Sequence, residues 1–298
     1  YKRQILGGGC LGPLIPPSVP MIIVASMSGI SIGKLFIGGF FPGLLTASLF
    51  SIYIGLRCFL NPKAGPSIPF DQRSNWKDKL ISLRAIAVPI VLIFLVLGLI
   101  YLGISTPTEA GGIGAFGAFL SAVICGGFSW RKLRISLITS LKLTVMLIWL
   151  IVAGNMFCSL LAATKSNLLI QEILLNLSSG NSVVVLAIML AITLFFGMFI
   201  DIGPIIIITL PLFAPVVNVL GIDLLWFGLI YTMTLLIGLI TPPFGVVLFY
   251  FKGLQHQGVT IMDIYKAAGP FIFLMIVALI LCMVFPEIAV WLPNQMIT

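Results

Sequence analysis

Apolar residues run along this chain in long blocks, and the polar positions fall between the blocks instead of alternating within them. The blocks occupy residues 14–28, 35–56, 85–104, 107–128, 143–163, 183–219, 224–252 and 270–291. They are longer than strands and lack a two-residue period, so they read as helices and not as the strands of a β-barrel. Two intervening stretches are basic. Residues 57–84 carry Arg57, Lys63, Arg73, Lys77, Lys79 and Arg84 against Asp71 and Asp78, and residues 128–142 carry Arg131, Lys132, Arg134 and Lys142. Both read as loops. Two spans separate them, which puts them on one side of a bilayer, and the positive-inside rule makes that side cytoplasmic. On this count 143–163 crosses outward and 164–182 is an external loop. Residues 224–252 cross inward, 253–266 are cytoplasmic, and 270–291 cross outward.

The block at 183–219 holds no charged residue except Asp201. As one helix it would measure roughly 55 Å, against about 30 Å of hydrocarbon, so it must fold back. The turn is expected at Asp201-Ile202-Gly203-Pro204, where an acid, a flexible residue and a helix breaker follow one another. Two full spans, or a re-entrant hairpin with its tip inside the bilayer, both return the chain to its starting side.

Two other blocks are interrupted in a matched way. Gly12-Pro13-Leu14-Ile15-Pro16-Pro17 and Gly238-Leu239-Ile240-Thr241-Pro242-Pro243 each place a glycine four residues ahead of a proline pair. Proline removes a backbone donor and clashes with the preceding helical turn. Broken backbone survives at membrane depth only inside protein or beside a cavity. The likeness extends further: Gly29-Ile30-Ser31-Ile32 resembles Gly258-Val259-Thr260-Ile261, and Pro42 matches Pro270. The offsets nearly agree, at 226 (16 to 242), 229 (29 to 258) and 228 (42 to 270). With the assigned directions the two copies run oppositely, which makes an inverted repeat of the kind that builds secondary transporters. The competing explanation is shared composition, since glycine and proline are frequent in membrane helices.

Composition sharpens this picture. Of 298 residues, 60% are hydrophobic and 8% charged, where a soluble domain carries about 25% charged residues. The fold class is an all-α polytopic membrane protein. The net charge of +8 is gathered in the two basic stretches, so it reflects topology and not nucleic-acid binding. Cys10, Cys58, Cys125, Cys158 and Cys282 are scattered, and His256 is the single histidine, so neither a metal site nor a redox motif is indicated. Gly112-Ile113-Gly114-Ala115-Phe116-Gly117 matches a dinucleotide fingerprint literally, but no βαβ context surrounds it. It reads as helix packing, with Ala110, Gly114 and Ala118 at four-residue spacing. With no Walker A sequence and no plausible nucleophile and base, the chain is not read as an enzyme.

Few side chains are left for chemistry. Thr106-Pro107-Thr108-Glu109 forms a capping box, with Thr106 at the N-cap, proline at the first helical position and Glu109 at the third. Asp201 is either a cation ligand or hairpin anchor at membrane depth, or the aqueous cap of a helix starting at Pro204. Around the breaks, the candidates are carbonyls freed by Pro16, Pro17, Pro242 and Pro243, with the hydroxyls of Ser18 and Thr241. Such oxygens suit a hard cation such as sodium, and half-helix N-termini suit an anionic substrate group. Simple kinks packed by neighbouring helices are the alternative.

These residues carry a resemblance. Leu11-Gly12-Pro13-Leu14-Ile15-Pro16-Pro17-Ser18-Val19-Pro20, Thr106-Pro107-Thr108-Glu109-Ala110, Gly197-Met198-Phe199-Ile200-Asp201 and Gly238-Leu239-Ile240-Thr241-Pro242-Pro243-Phe244-Gly245 together resemble the large, DctM-like membrane subunit of tripartite ATP-independent periplasmic (TRAP) transporters. The resemblance implies a sodium-coupled, elevator-type importer of organic acids in the bacterial inner membrane. It implies two partners, a small four-helix membrane subunit and a soluble periplasmic binding protein, and no resident cofactor. Re-entrant hairpins and unwound helices would surround the site. The resemblance favours the re-entrant form of the 183–219 hairpin, with its tip near Asp201 and Gly203, and unwound helices at Gly12–Ser18 and Gly238–Pro243. Residues 1–56 would then end the first repeat, 57–84 form the cytoplasmic loop, and 85–298 form the second repeat. The family's first hairpin would precede Tyr1, so the sequence reads as N-terminally incomplete and should not transport alone. Two other classes compete: the membrane component of an ATP-driven importer, docking an ATPase on its basic loops, and a non-transporting scaffold.

Overall fold

The computed structural model describes residues 8–9, 11–61, 75–124, 127–177, 181–253 and 260–296. Their regular structure is helical, in the order α1 (Val19–Ser28), α2 (Ile32–Leu60), α3 (Trp76–Tyr101), α4 (Pro107–Ile124), α5 (Trp130–Ala163), α6 (Ser166–Leu177), α7 (Ser182–Gly197), α8 (Ile202–Val219), α9 (Leu224–Ile240), α10 (Val246–Gly253), α11 (Ile261–Val284) and α12 (Glu287–Asn294). Among the described residues, five of these (α2, α4, α5, α8 and α11) are long and apolar enough to cross a membrane. This is an all-helical, polytopic membrane fold.

Local chemistry sets many of the helix ends. Ser18 caps α1 with extended backbone, and Gly29 closes it at φ 75°, a left-handed conformation that only glycine adopts cheaply. Thr260 and Asp263 form a capping box at the start of α11. Ser31 accepts from the Lys34 N–H at 3.4 Å at the start of α2. Each proline break is therefore followed by a short helix (α1 or α10), a capping hydroxyl (Ser31 or Thr260), and a long helix with an internal proline (Pro42 or Pro270). Gly258 and Val259, the start of the second capping element, lie outside the described residues.

The basic stretches differ from expectation. Helix α2 continues through Arg57 to Leu60, and α3 already begins at Trp76. The stretch around Arg131, Lys132, Arg134 and Lys142 forms the exposed first turns of the 34-residue α5. Lysine and arginine are good helix formers, so the ladder runs on where the apolar pattern ends. Lys63, Asp71 and Arg73 lie outside the described residues. The expected external loop at 164–182 likewise contains α6, which follows a turn at Lys165 with φ 56°.

The chain divides into two compact units. One comprises residues 1–51 and 146–295, the other 52–145 and 296–298. In the larger unit α9 is central, and every residue from Phe227 to Ile240 is buried. It packs against α1, α7, α8, α10, α11 and α12. A helix apolar all round calls for such enclosure. Its hydroxyls are satisfied: Thr232 and Thr234 donate to the carbonyls of Gly228 and Ile230, and the Tyr231 hydroxyl pairs with Thr209 of α8 at 2.7 Å. The Trp226 indole N–H donates to the Cys282 carbonyl of α11 at 3.0 Å. In the smaller unit α3 packs against α4. A Cβ on Gly114 would stand 3.1 Å from Val96, and one on Gly117 would strike Leu92. The glycine-rich pattern is thus helix packing, with Gly114 and Gly117 making close approaches to α3.

Candidate functional site

The second break is assembled from three directions. Helix α9 ends at Ile240, and Thr241 turns to extended backbone (φ −89°, ψ 128°). The Thr241 N–H donates to the Gly238 carbonyl at 3.0 Å, and its hydroxyl donates to the Ile237 carbonyl at 2.6 Å. Pro242 and Pro243, joined by a cis peptide bond, offer no N–H to the helix behind them. The Leu239 carbonyl therefore lacks the N–H that a continuing helix would supply. The chain then reaches Gly245 at φ 51°, whose N–H donates to the Met198 carbonyl at 3.3 Å. From the other side, the Tyr265 hydroxyl of α11 donates to the Pro243 carbonyl.

Met198 belongs to the turn between α7 and α8, so the break lies directly against the hairpin. The contact begins at Gly197, the residue before Met198, and at Gly238, seven residues before Gly245. A Cβ on Gly238 would stand 2.7 Å from the Gly197 Cα, and one on Gly197 would stand 2.9 Å from the Gly238 Cα. Two backbones meet here without side chains between them. The rings of Phe199 and Phe244 follow, with centroids 5.7 Å apart.

Asp201 is the N-cap of α8, and its Oδ1 accepts from the Ile202 N–H at 2.9 Å. The helix starts at Ile202, two residues before the expected Pro204. Pro204 occupies the third helical position, still in the first turn, where its missing N–H breaks no ladder bond. The Asp201 residue is exposed. Gly203 is buried, and a Cβ there would stand 3.1 Å from Leu150 of α5.

The first break is arranged differently. The N–H groups of Leu14 and Ile15 both donate to the Leu11 carbonyl, at 3.0 and 2.9 Å. Pro16–Pro17 is cis. Ser18 is buried; its hydroxyl donates to the Pro13 carbonyl and accepts from the Met21 N–H at 3.4 Å. Gly39 and Gly43 of α2 make room for this segment: Cβ atoms there would lie 3.0 Å from the Leu14 carbonyl oxygen and 2.9 Å from Ile15 Cγ1. Gly12 is exposed, and a Cβ on it would meet only the Gly9 carbonyl, at 3.6 Å.

Of the residues singled out in the sequence, Gly238 meets Gly197 at the end of α7, and the break at Thr241, Pro242 and Pro243 reaches the hairpin turn ahead of Asp201 and Gly203 through Phe244 and Gly245. Around the first break it is Leu14 and Ile15 that meet α2, a Cβ on Gly12 would reach none of α1–α12, and Ser18 caps α1, which packs against α8 and α9. Thr106 and Glu109 belong to the smaller unit, where they exchange reciprocal capping bonds. The Thr106 N–H donates to Glu109 Oε2 at 2.8 Å, and the Glu109 N–H donates to Thr106 Oγ1 at 3.3 Å. Among the described residues no three His, Cys, Asp or Glu side chains cluster to hold a metal. The oxygen donors at the break are carbonyls and hydroxyls.

Comparison with known proteins decides the family. Residues 5–288 match the tripartite ATP-independent periplasmic transporter, DctM component. The chain belongs to the DctM family. It is 32% identical, over 97% of its length, to the ectoine TRAP transporter large permease protein of Halomonas elongata, and covers 66% of that protein. To the C4-dicarboxylate TRAP transporter large permease protein of Pseudomonas aeruginosa it is 34% identical over 97% of its length, again covering 66%. To the sialic acid TRAP transporter permease protein of Haemophilus influenzae it is 30% identical over its whole length, covering 48%. The chain thus spans a little under two thirds of the first two relatives and about half of the third. As a DctM-family chain with five apolar membrane-length helices among its described residues, it is a multi-pass protein of the inner membrane.

One contributor to the second break of this DctM-family chain escaped the sequence reading. Gly197, Met198, Phe199, Phe244 and Gly245 lie inside the quoted motifs. Tyr265 lies in none, and its partner is 22 residues away.

Proposed function

We propose that the protein containing this chain is the large membrane subunit of a sodium-coupled secondary importer of organic acids, of the dicarboxylate or sugar-acid class. A small four-helix membrane subunit accompanies it, and a soluble periplasmic binding protein delivers the substrate. The observation that supports this reading is the break at Thr241–Gly245 lying against the hairpin turn. It leaves the Leu239 carbonyl without a helical N–H, and that carbonyl, the Thr241 hydroxyl and the Asp201 carboxylate are hard oxygen ligands suited to sodium. The N-terminal amides of α1 and α10, which open on the two breaks, favour an anionic group. Elevator motion and a re-entrant hairpin tip belong to the same proposal. The relatives' compounds (ectoine, C4-dicarboxylates and sialic acid) all carry a carboxylate, and they define the class to be screened.

The test uses the full-length parent with its small subunit and binding protein in proteoliposomes. Uptake of those labelled compounds is followed under an inward sodium gradient without ATP. Uptake that needs both sodium and the binding protein is the expected result. Uptake that appears only with an added ATPase and ATP would overturn the proposal.

A further inference from the structure

We propose that Tyr265 is a positioning residue of the second break: its hydroxyl holds the Pro243 carbonyl and thereby fixes the backbone path through Thr241–Gly245. The observation is the long-range bond from α11 into the break. The segment has few hydrogen bonds of its own, because its two prolines donate nothing; Gly245, at φ 51°, is tied through its carbonyl to the Leu248 and Phe249 N–H groups of α10, which leaves the Pro243 peptide between them without a local partner. Two hydrogen bonds anchor it from outside, from the Gly245 N–H to Met198 and from Tyr265 to the Pro243 carbonyl, beside the ring contact of Phe244 with Phe199. A carbonyl's direction follows from the backbone torsion beside it, so a donor on the Pro243 oxygen sets the peptide plane entering Phe244. Through that plane it sets the approach of Gly245 to the hairpin. At the first break the hydroxyl that reaches a carbonyl is a local one, Ser18 donating to Pro13.

Tyr265→Phe removes the hydroxyl and leaves the ring, so the fold is retained and thermal unfolding in detergent should stay within a few degrees of the parent. Two readouts on the full-length complex test the inference. The first is hydrogen–deuterium exchange of the peptide covering residues 241–250, which is independent of any transport activity. Exchange there should rise about tenfold while peptides from α7 and α9 keep their protection. The second rests on the transport reading above: the sodium concentration giving half-maximal uptake should rise roughly five- to tenfold, the size of one lost hydrogen bond, with the maximal rate within about twofold. Parental exchange in the folded variant overturns the positioning role. Raised exchange with parental sodium dependence also overturns it, since the break would then tolerate a loosened path. If the parent itself shows no sodium dependence, the transport reading fails, and the exchange result alone decides on Tyr265.

Discussion

The two proline breaks share a sequence pattern and differ in what holds them. The first is closed by its own residues, with Ser18 reaching back to Pro13 and capping α1, while two glycines of α2 receive it. The second is held by partners distant in sequence: Met198 on the hairpin turn, Tyr265 on α11, and the bare backbone crossing at Gly197 and Gly238. A local clamp tolerates rearrangement of its neighbours. A clamp made of tertiary contacts reports their position, and this suits a site whose ligands come from more than one element.

The largest effect is expected where the second break depends on absent side chains. Gly238→Val would push a branched side chain into the Gly197 backbone, and overpacking of this kind costs about 3 kcal/mol or more. Thermal unfolding of the detergent-solubilised parent should show a drop of many degrees, and a parental melting temperature would mean the crossing is loose. The first break should answer to a smaller and purely local change. Ser18→Ala removes a cap and a hydroxyl-to-carbonyl bond, for a loss of about 1–2 kcal/mol. Exchange should increase at Pro13–Met21 and not at 241–250, and increases at both would erase the distinction between the breaks. The smallest stability change separates the two roles of Asp201. Asparagine caps helices about as well as aspartate, so Asp201→Asn should alter stability by less than about 0.5 kcal/mol. Sodium-driven uptake should nevertheless fall at least tenfold. Retained uptake would leave Asp201 as a helix cap alone.

The apolar blocks, the fold-back of the 183–219 block, both breaks and the capping box at Thr106 and Glu109 were legible because each rests on local chemistry: hydropathy, proline, glycine and short-range hydrogen bonds; the turn itself lies at Met198–Asp201 and not at the expected 201–204. Helix ends in the basic stretches were not legible. Hydropathy marks where lipid ends, and α5 continues outward through Trp130 and Arg131 beyond that point. The start of α8 differs from the expected Pro204 because proline favours the first helical position but is also tolerated at the third, where it breaks no ladder bond. Tyr265 gave no signal, since a tyrosine near a helix start resembles any interfacial aromatic, and only the tertiary fold brings it to Pro243. The crossing at Gly197 and Gly238 was half visible, as two glycines in two motifs with nothing to say that they meet.

That crossing also bears on how this protein can vary. Most packing defects admit a second-site cure, because a neighbour that has become too large can be trimmed. Here the neighbour of each glycine is main chain, and nothing smaller can replace it. A genetic screen begun from a Gly238 variant should therefore return true revertants and almost no intragenic suppressors.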